Sequence, residues 1–181
     1  MPCLSPTSLS SAIIAVGARS SRLEAGPEGS ATWDELASGT ALEFRTDELQ
    51  GKCVLLATID QFTSAAALIQ LDGLARRIVL YPPDLSREHL AFVADIAGAD
   101  VTVTDERTSE ATNARRLRIE PDLRESNAEP GTGSLPLQTE WILLTSGTTG
   151  RPKLVQHGKV ASRAERKYRS SGVSSHIFLR G

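Results

Sequence analysis

Apolar residues along this chain come in short continuous runs separated by polar turns. Residues 53–59, Cys-Val-Leu-Leu-Ala-Thr-Ile, form one such run behind Gly51-Lys52. Continuous apolar character over that length predicts a strand buried on both faces of a parallel sheet. Residues 62–71 are Ala-rich and apolar, which predicts a buried helix packed closely on that sheet. Residues 77–81 predict a second strand, stopped by Pro82-Pro83. Asp84 or Ser86 can cap a second helix running through Ile96, with Phe92, Val93 and Ile96 on one face. Gly98 ends that helix, and residues 100–104 predict a third strand. Strands and helices alternating through such short turns imply an α/β fold, a mainly parallel sheet with flanking helices. A further strand is expected over 117–119, then a surface loop over 121–138 containing Pro130-Gly131-Thr132-Gly133-Ser134. Upstream, residues 1–31 are rich in Ser, Ala and Gly and predict an extended or loosely packed lead-in. Trp33-Asp34-Glu35-Leu36 predicts a short helix start with Thr32 as its cap.

The candidate chemistry lies where an apolar run meets a polar loop. Trp141-Ile142-Leu143-Leu144 predicts a buried strand, and it feeds into Thr145-Ser146-Gly147-Thr148-Thr149-Gly150, then Arg151-Pro152-Lys153. Six successive Ser, Thr and Gly residues cannot pack a core. They can instead point backbone N–H groups and hydroxyls at a common centre. Gly147 and Gly150 let the main chain approach a ligand closely. Successive N–H groups in such a turn make an anion-binding concavity, to which the Lys153 ammonium adds a full charge. Strand, hydroxyl-rich glycine loop and lysine together describe a polyphosphate site. Two other phosphate loops fail on spacing. The P-loop needs four residues between its glycines and a Gly-Lys-Ser/Thr ending, which is absent here. The dinucleotide fingerprint fails because Pro136 stands where its third glycine would follow Gly131 and Gly133.

Residues 145–153 resemble the signature loop of the adenylate-forming superfamily, which includes AMP-forming acyl-CoA synthetases, luciferases and peptide-synthetase adenylation domains. That pattern, Thr-Ser-Gly-Thr-Thr-Gly-x-Pro-Lys, is matched at every position. The resemblance spans roughly residues 32–157, though only the loop is specific. It implies a partial N-terminal, AMP-binding subdomain of the adenylate-forming fold. Thr145, Ser146, Thr148 and Thr149 would offer hydroxyls to the β- and γ-phosphates of ATP. Gly147 and Gly150 would offer N–H groups, and Lys153 would neutralise the phosphates. Magnesium, a carboxylic acid and CoA are implied only for a complete family enzyme. These 181 residues contain no Tyr-Gly-x-Thr-Glu segment. The family's ribose-binding Asp and C-terminal adenylation lysine also have no counterpart. The resemblance therefore implies the front part of an adenylating ligase, with no catalytic residue of its own and no activity alone.

Charge changes the picture only at the end of the chain. From Arg151 onward there are eight basic residues against Glu165, whereas the first 150 residues hold 12 basic and 21 acidic groups. That abrupt change of sign predicts a basic tail without regular structure over 158–181, of the kind a frameshift, a deletion or a misjoined reading frame leaves. Basic clusters can bind nucleic acid. Tyr168 and Phe178 are the tail's only aromatics and no nucleic-acid motif accompanies them, so that reading is not adopted. Alternative readings are a non-catalytic nucleotide-binding or regulatory module, or a basic-tailed interaction protein. Cys3 and Cys53 lack metal spacing, and His89, His157 and His176 are scattered, so no metal site is expected. Cys53 is expected as a reduced core residue. No apolar run reaches the ~18–20 residues needed to cross a bilayer, and a cytoplasmic location is expected.

Overall fold

A computed structural model describes residues 8–16, 22–24, 30–33, 36, 46–106, 113–119, 137–145, 152–158 and 174–177. Its centre is a seven-stranded sheet. Five strands run parallel: β3 (Cys53–Leu56), β4 (Arg77–Leu80), β5 (Val101–Thr104), β6 (Arg115–Arg118) and β7 (Glu140–Thr145). Two more, β8 (Lys153–Gly158) and β9 (Ser174–Ile177), add antiparallel at one end, giving the order β6-β5-β3-β4-β7-β8-β9. The expected mainly parallel α/β sheet with flanking helices is what the chain forms.

Burial on both faces explains the apolar runs. All four residues of β3 are buried. Val54 and Leu56 point to one side, into a core with Ile78, Val101, Val103 and Leu117. Ala67 and Leu71 of the helix Gln61–Leu71 close that core, together with Leu49 of the short helix Thr46–Leu49. Cys53 and Leu55 point to the other side, among Val79, Tyr81, Ile142 and Leu154. Leu90, Val93, Ala94 and Ala97 of the helix Leu90–Ala97 cover them. The alternation along β3 thus sends successive residues under different helices, the arrangement of a doubly wound sheet.

Local chemistry sets the helix boundaries. Asp60 caps Gln61–Leu71, its carboxylate accepting from the Thr63 N–H and from the Thr63 hydroxyl, both at 2.6 Å. Leu90–Ala97 follows a 3-10 turn, Arg87–His89, and stops at Gly98, whose φ of 63° places it in the left-handed region that glycine tolerates. Two details differ from expectation. Ser86 makes no side-chain capping bond, and Ile96 is 46% exposed. Residues 90, 93, 94 and 97 follow the helical period from Leu90, and Ile96 falls outside that stripe. Cys53 is a free, buried cysteine as expected, its thiol donating to the Ala97 carbonyl at 3.5 Å. Burial pushes that thiol's pKa up.

The first 31 residues contain more structure than their composition implied. Leu9–Val16 is a helix, α1, and β1 (Arg22–Glu24) pairs with β2 (Ser30–Thr32) as an antiparallel hairpin. Leu9 and Ile13 pack with Trp33 against Leu36, Phe62, Ala66 and Ile69. An amphipathic helix needs only one apolar stripe, and here Leu9 and Ile13 supply it. Trp33 and Leu36 of the expected short helix are helical, Asp34 and Glu35 lie outside the described residues, and Thr32, expected as the cap, is the last residue of a strand. The expected strand over 117–119 begins two residues earlier, at Arg115. A second correction falls at the other end: Ser174–Ile177, inside the segment expected to lack regular structure, forms β9 on the edge of β8. Backbone pairing to an open edge can recruit a sequence with no apolar alternation of its own. The surface loop expected over 121–138 and the rest of the segment after Gly158 lie outside the described residues, apart from Leu137 and Gln138. No described helix is long and apolar enough to cross a membrane.

Candidate phosphate-binding edge of the sheet

Strand β7 runs parallel to β4, with Leu80 registered on Leu143. Its chain therefore leaves the sheet at the same carboxyl edge as β3, β4 and β5. In open α/β sheets ligands bind outside that edge. The segment leaving there is the hydroxyl-rich loop. It returns as β8, and the two strands stay registered from Trp141↔His157 to Thr145↔Lys153. Thr145 and Lys153 are thus cross-strand partners at the root of the loop, and both are exposed. Pro152, beside Lys153, is buried, which seats the returning strand. Ser146, Gly147, Thr148, Thr149 and Gly150 lie outside the described residues. Of the seven residues assigned to phosphate, the structure therefore brings two together, one hydroxyl and one ammonium.

The neighbouring strand ends add polar groups that the sequence did not announce. Asp105, just past β5, accepts from the Ile59 N–H at 3.0 Å and from the Asp60 N–H at 2.9 Å. Its carboxylate thereby holds the chain leaving β3. Thr58 is buried with its hydroxyl unpartnered. Tyr81, one residue past β4, donates to the Ser86 carbonyl and packs with the core that Leu144 joins. Over its ring lies the Arg87 guanidinium, with the carbon 5.8 Å from the centroid. Arg87 pairs in turn with Glu106, Nη2 to Oε2 at 3.0 Å. Asp105-Glu106 immediately after an apolar strand was a readable signal for this edge. Arg87 offered none, because Glu106 reaches it from the end of β5, across the intervening helix Leu90–Ala97 in sequence.

Among the described residues no group of three or more His, Cys, Asp or Glu could hold a metal ion. What the described residues place at this edge is one exposed ammonium, Lys153, beside the exposed Thr145.

No family model matches the chain. Over 111 residues it is 28% identical to the nonribosomal peptide synthetase valB of Aspergillus terreus, covering 60% of this chain and 4% of that protein. Among solved structures it superposes on VinN in complex with 3-methylaspartate with a TM-score of 0.64 at 15% identity, over 83% of this chain and 47% of VinN. The N-terminal subdomain of Klebsiella oxytoca NpsA in complex with 3-hydroxyanthranilyl-AMSN gives a TM-score of 0.57 at 20% identity, over 83% of this chain and 39% of that one. The chain therefore spans less than half the length of each of these proteins. The chain thus shares its fold with these proteins, the N-terminal subdomain of NpsA among them.

Proposed function

We propose that this chain supplies the polyphosphate-binding hairpin of an adenylate-forming enzyme. In that reaction a carboxylate attacks the α-phosphate of ATP, giving an acyl-adenylate and releasing pyrophosphate. One observation carries the reading: Thr145 and Lys153, the two ends of the Ser/Thr/Gly loop, are register partners at the carboxyl edge of a parallel sheet. Open α/β sheets bind ligands outside that edge, and the β- and γ-phosphates of a nucleotide would lie there. Lys153 would balance the charge that grows on the departing pyrophosphate. Thr145, Ser146, Thr148 and Thr149 would donate hydroxyls, with N–H groups from Gly147 and Gly150. The relatives' acids, 3-methylaspartate for VinN and the 3-hydroxyanthranilyl group for NpsA, are carboxylates or their derivatives. They support the class of substrate and leave its identity open.

Titration calorimetry with tripolyphosphate, ATP and GTP tests the site. All three are expected to bind weakly and alike, because the attraction is charge and the loop reads no base. Affinity should fall as salt rises. Lys153→Ala should weaken each about fivefold, the effect of one nearby charge in a solvated site. Strong preference for ATP over tripolyphosphate, or indifference to Lys153→Ala, would count against the assignment.

Activity is a separate matter. The 181-residue chain is expected to show no carboxylate-dependent exchange of labelled pyrophosphate into ATP. Phosphate binding alone does not position a carboxylate against the α-phosphate, and positioning is most of this catalysis. Exchange above a Lys153→Ala control, across a panel of amino and aryl acids, would show that these residues suffice for adenylation.

A further inference from the structure

The helix Gln61–Leu71 faces two ways. Ala67 and Leu71 enter the core against the sheet, while Phe62, Ala66 and Ile69 belong to a separate apolar cluster with Leu36. Residues 62, 66 and 69 follow the helical period and so form one stripe. All four members of that cluster are buried, and α1 is what packs on them. Leu9 and Ile13 stand four residues apart, on the same face of α1, and meet the stripe beside Trp33. The eight residues of α1 carry no charged side chain. A helix that short does not persist alone in water. Docking and helix formation in α1 are therefore one event.

The receiving surface does not depend on α1 in the same way. Gln61–Leu71 has its own cap, Asp60, and its other face is fixed on the sheet. Asp72 is held by its N–H on the Leu68 carbonyl and by Oδ1 on the Trp141 indole N–H. Its second oxygen, Oδ2, takes the Leu9 N–H at 2.7 Å. Without α1 that oxygen would stand ready for another first-turn N–H beside an apolar stripe already in place. We propose that this surface is a docking groove for an amphipathic helix, occupied here by α1, which binds and leaves as a unit while the sheet stays folded. The groove names the chemistry of its occupant. It takes two large aliphatic side chains four residues apart, and an unpaired N–H in the first helical turn for Asp72. The groove lies apart from residues 145–153, and its occupancy is independent of the phosphate reading.

Hydrogen exchange of the full chain, followed by mass spectrometry, reads the opening. Amides of residues 9–16 should exchange together, about tenfold or more faster than those of Cys53–Leu56, because local opening precedes global unfolding. Ile13→Asp puts a charge on the docking face. It should bring residues 9–16 to the exchange rate of a free peptide while β3 stays protected, and Ile13→Ala should fall between. A synthetic peptide of residues 8–16 is then titrated into the Ile13→Asp protein. It should bind saturably and shift the tryptophan emission, since the chain's two tryptophans touch the groove and Asp72. The same peptide carrying Ile13→Asp should not bind. Wild-type protein, with its groove filled, should take the native peptide about tenfold or more weakly. Exchange of residues 9–16 at the rate of β3 in the wild type would overturn the proposal, because α1 would then open only with the sheet. Loss of β3 protection in both Ile13 variants would do the same. A folded Ile13→Asp protein that ignores the native peptide would show that the groove receives no helix from solution.

Discussion

Leu55→Ala should lower the free energy of unfolding by about 3–4 kcal/mol, within the range for truncating a fully buried leucine. Leu55 is 0% exposed and sits mid-strand in the central region of the sheet. It packs in the same core as Val79, Leu90, Val93 and Ile142. Neighbours on two strands and a helix cannot all move inward, so a cavity would persist. The same truncation at Leu143 should cost about 1–2 kcal/mol, because less apolar area leaves water there. The contrast follows from one row of registered residues on the opposite face: Leu117, Val103, Leu56, Leu80, Leu143 and Val155. Its first three members are buried, while Leu80, Leu143 and Val155 are only partly buried. Urea unfolding followed by tryptophan fluorescence measures both variants. Equal losses at Leu55 and Leu143 would mean that the sheet is covered evenly, contrary to the packing described.

How much of this was legible follows from where each signal resides. Strands β3, β4 and β5 could be read because burial on both faces leaves an unbroken apolar run. Gln61–Leu71 could be read because its alanines allow close packing on the sheet, and Gly98 because only a left-handed residue ends Leu90–Ala97 as it does. Helix α1 could not. Its Ser-Ser-Ala composition resembles a linker, and one of its anchors is Asp72, 63 residues away. Strand β9 was hidden for a related reason: Ser174-Ser175-His176-Ile177 has no alternation, and pairing with β8 specifies it. The candidate site divides in the same way. Residues 145–153 carry the proposed phosphate loop in their sequence alone, as glycines and hydroxyls in succession after a strand, and of them only Thr145, Pro152 and Lys153 are among the described residues. The Arg87–Glu106–Tyr81 cluster was invisible, since it joins the turn after β4 to the end of β5, two strands that the sheet separates by β3. Local chemistry was written in sequence, while chemistry made by strand order appears only after folding.

Asp72→Ala should cost about 2–4 kcal/mol and should loosen α1 first. Asp72 follows the last turn of Gln61–Leu71, where its N–H closes the helix on the Leu68 carbonyl. Its two carboxylate oxygens reach separate elements. Oδ2 accepts from the Leu9 N–H at 2.7 Å, and Oδ1 accepts from the Trp141 indole N–H at 2.8 Å. Leu9 opens α1, so the carboxylate satisfies one of that helix's orphan donors and places negative charge at its positive end. Hydrogen bonds to a charged acceptor are worth about 1.5–3 kcal/mol each, and alanine would leave two donors unpaired. Trp141→Phe removes only one of them and should cost about half as much. Amide exchange over residues 9–16 should rise well above that of β3 in Asp72→Ala, since α1 loses its hydrogen-bonded anchor while the sheet keeps its ladder. The loop root should be spared. Strand β7 stays registered on β4 through Arg77–Leu80 and on β8 through residues 153–157. Tripolyphosphate affinity of the folded protein should therefore match the wild type. Full protection of α1, with less than about 1 kcal/mol lost, would show that apolar packing of Leu9 and Ile13 holds the helix without the clasp.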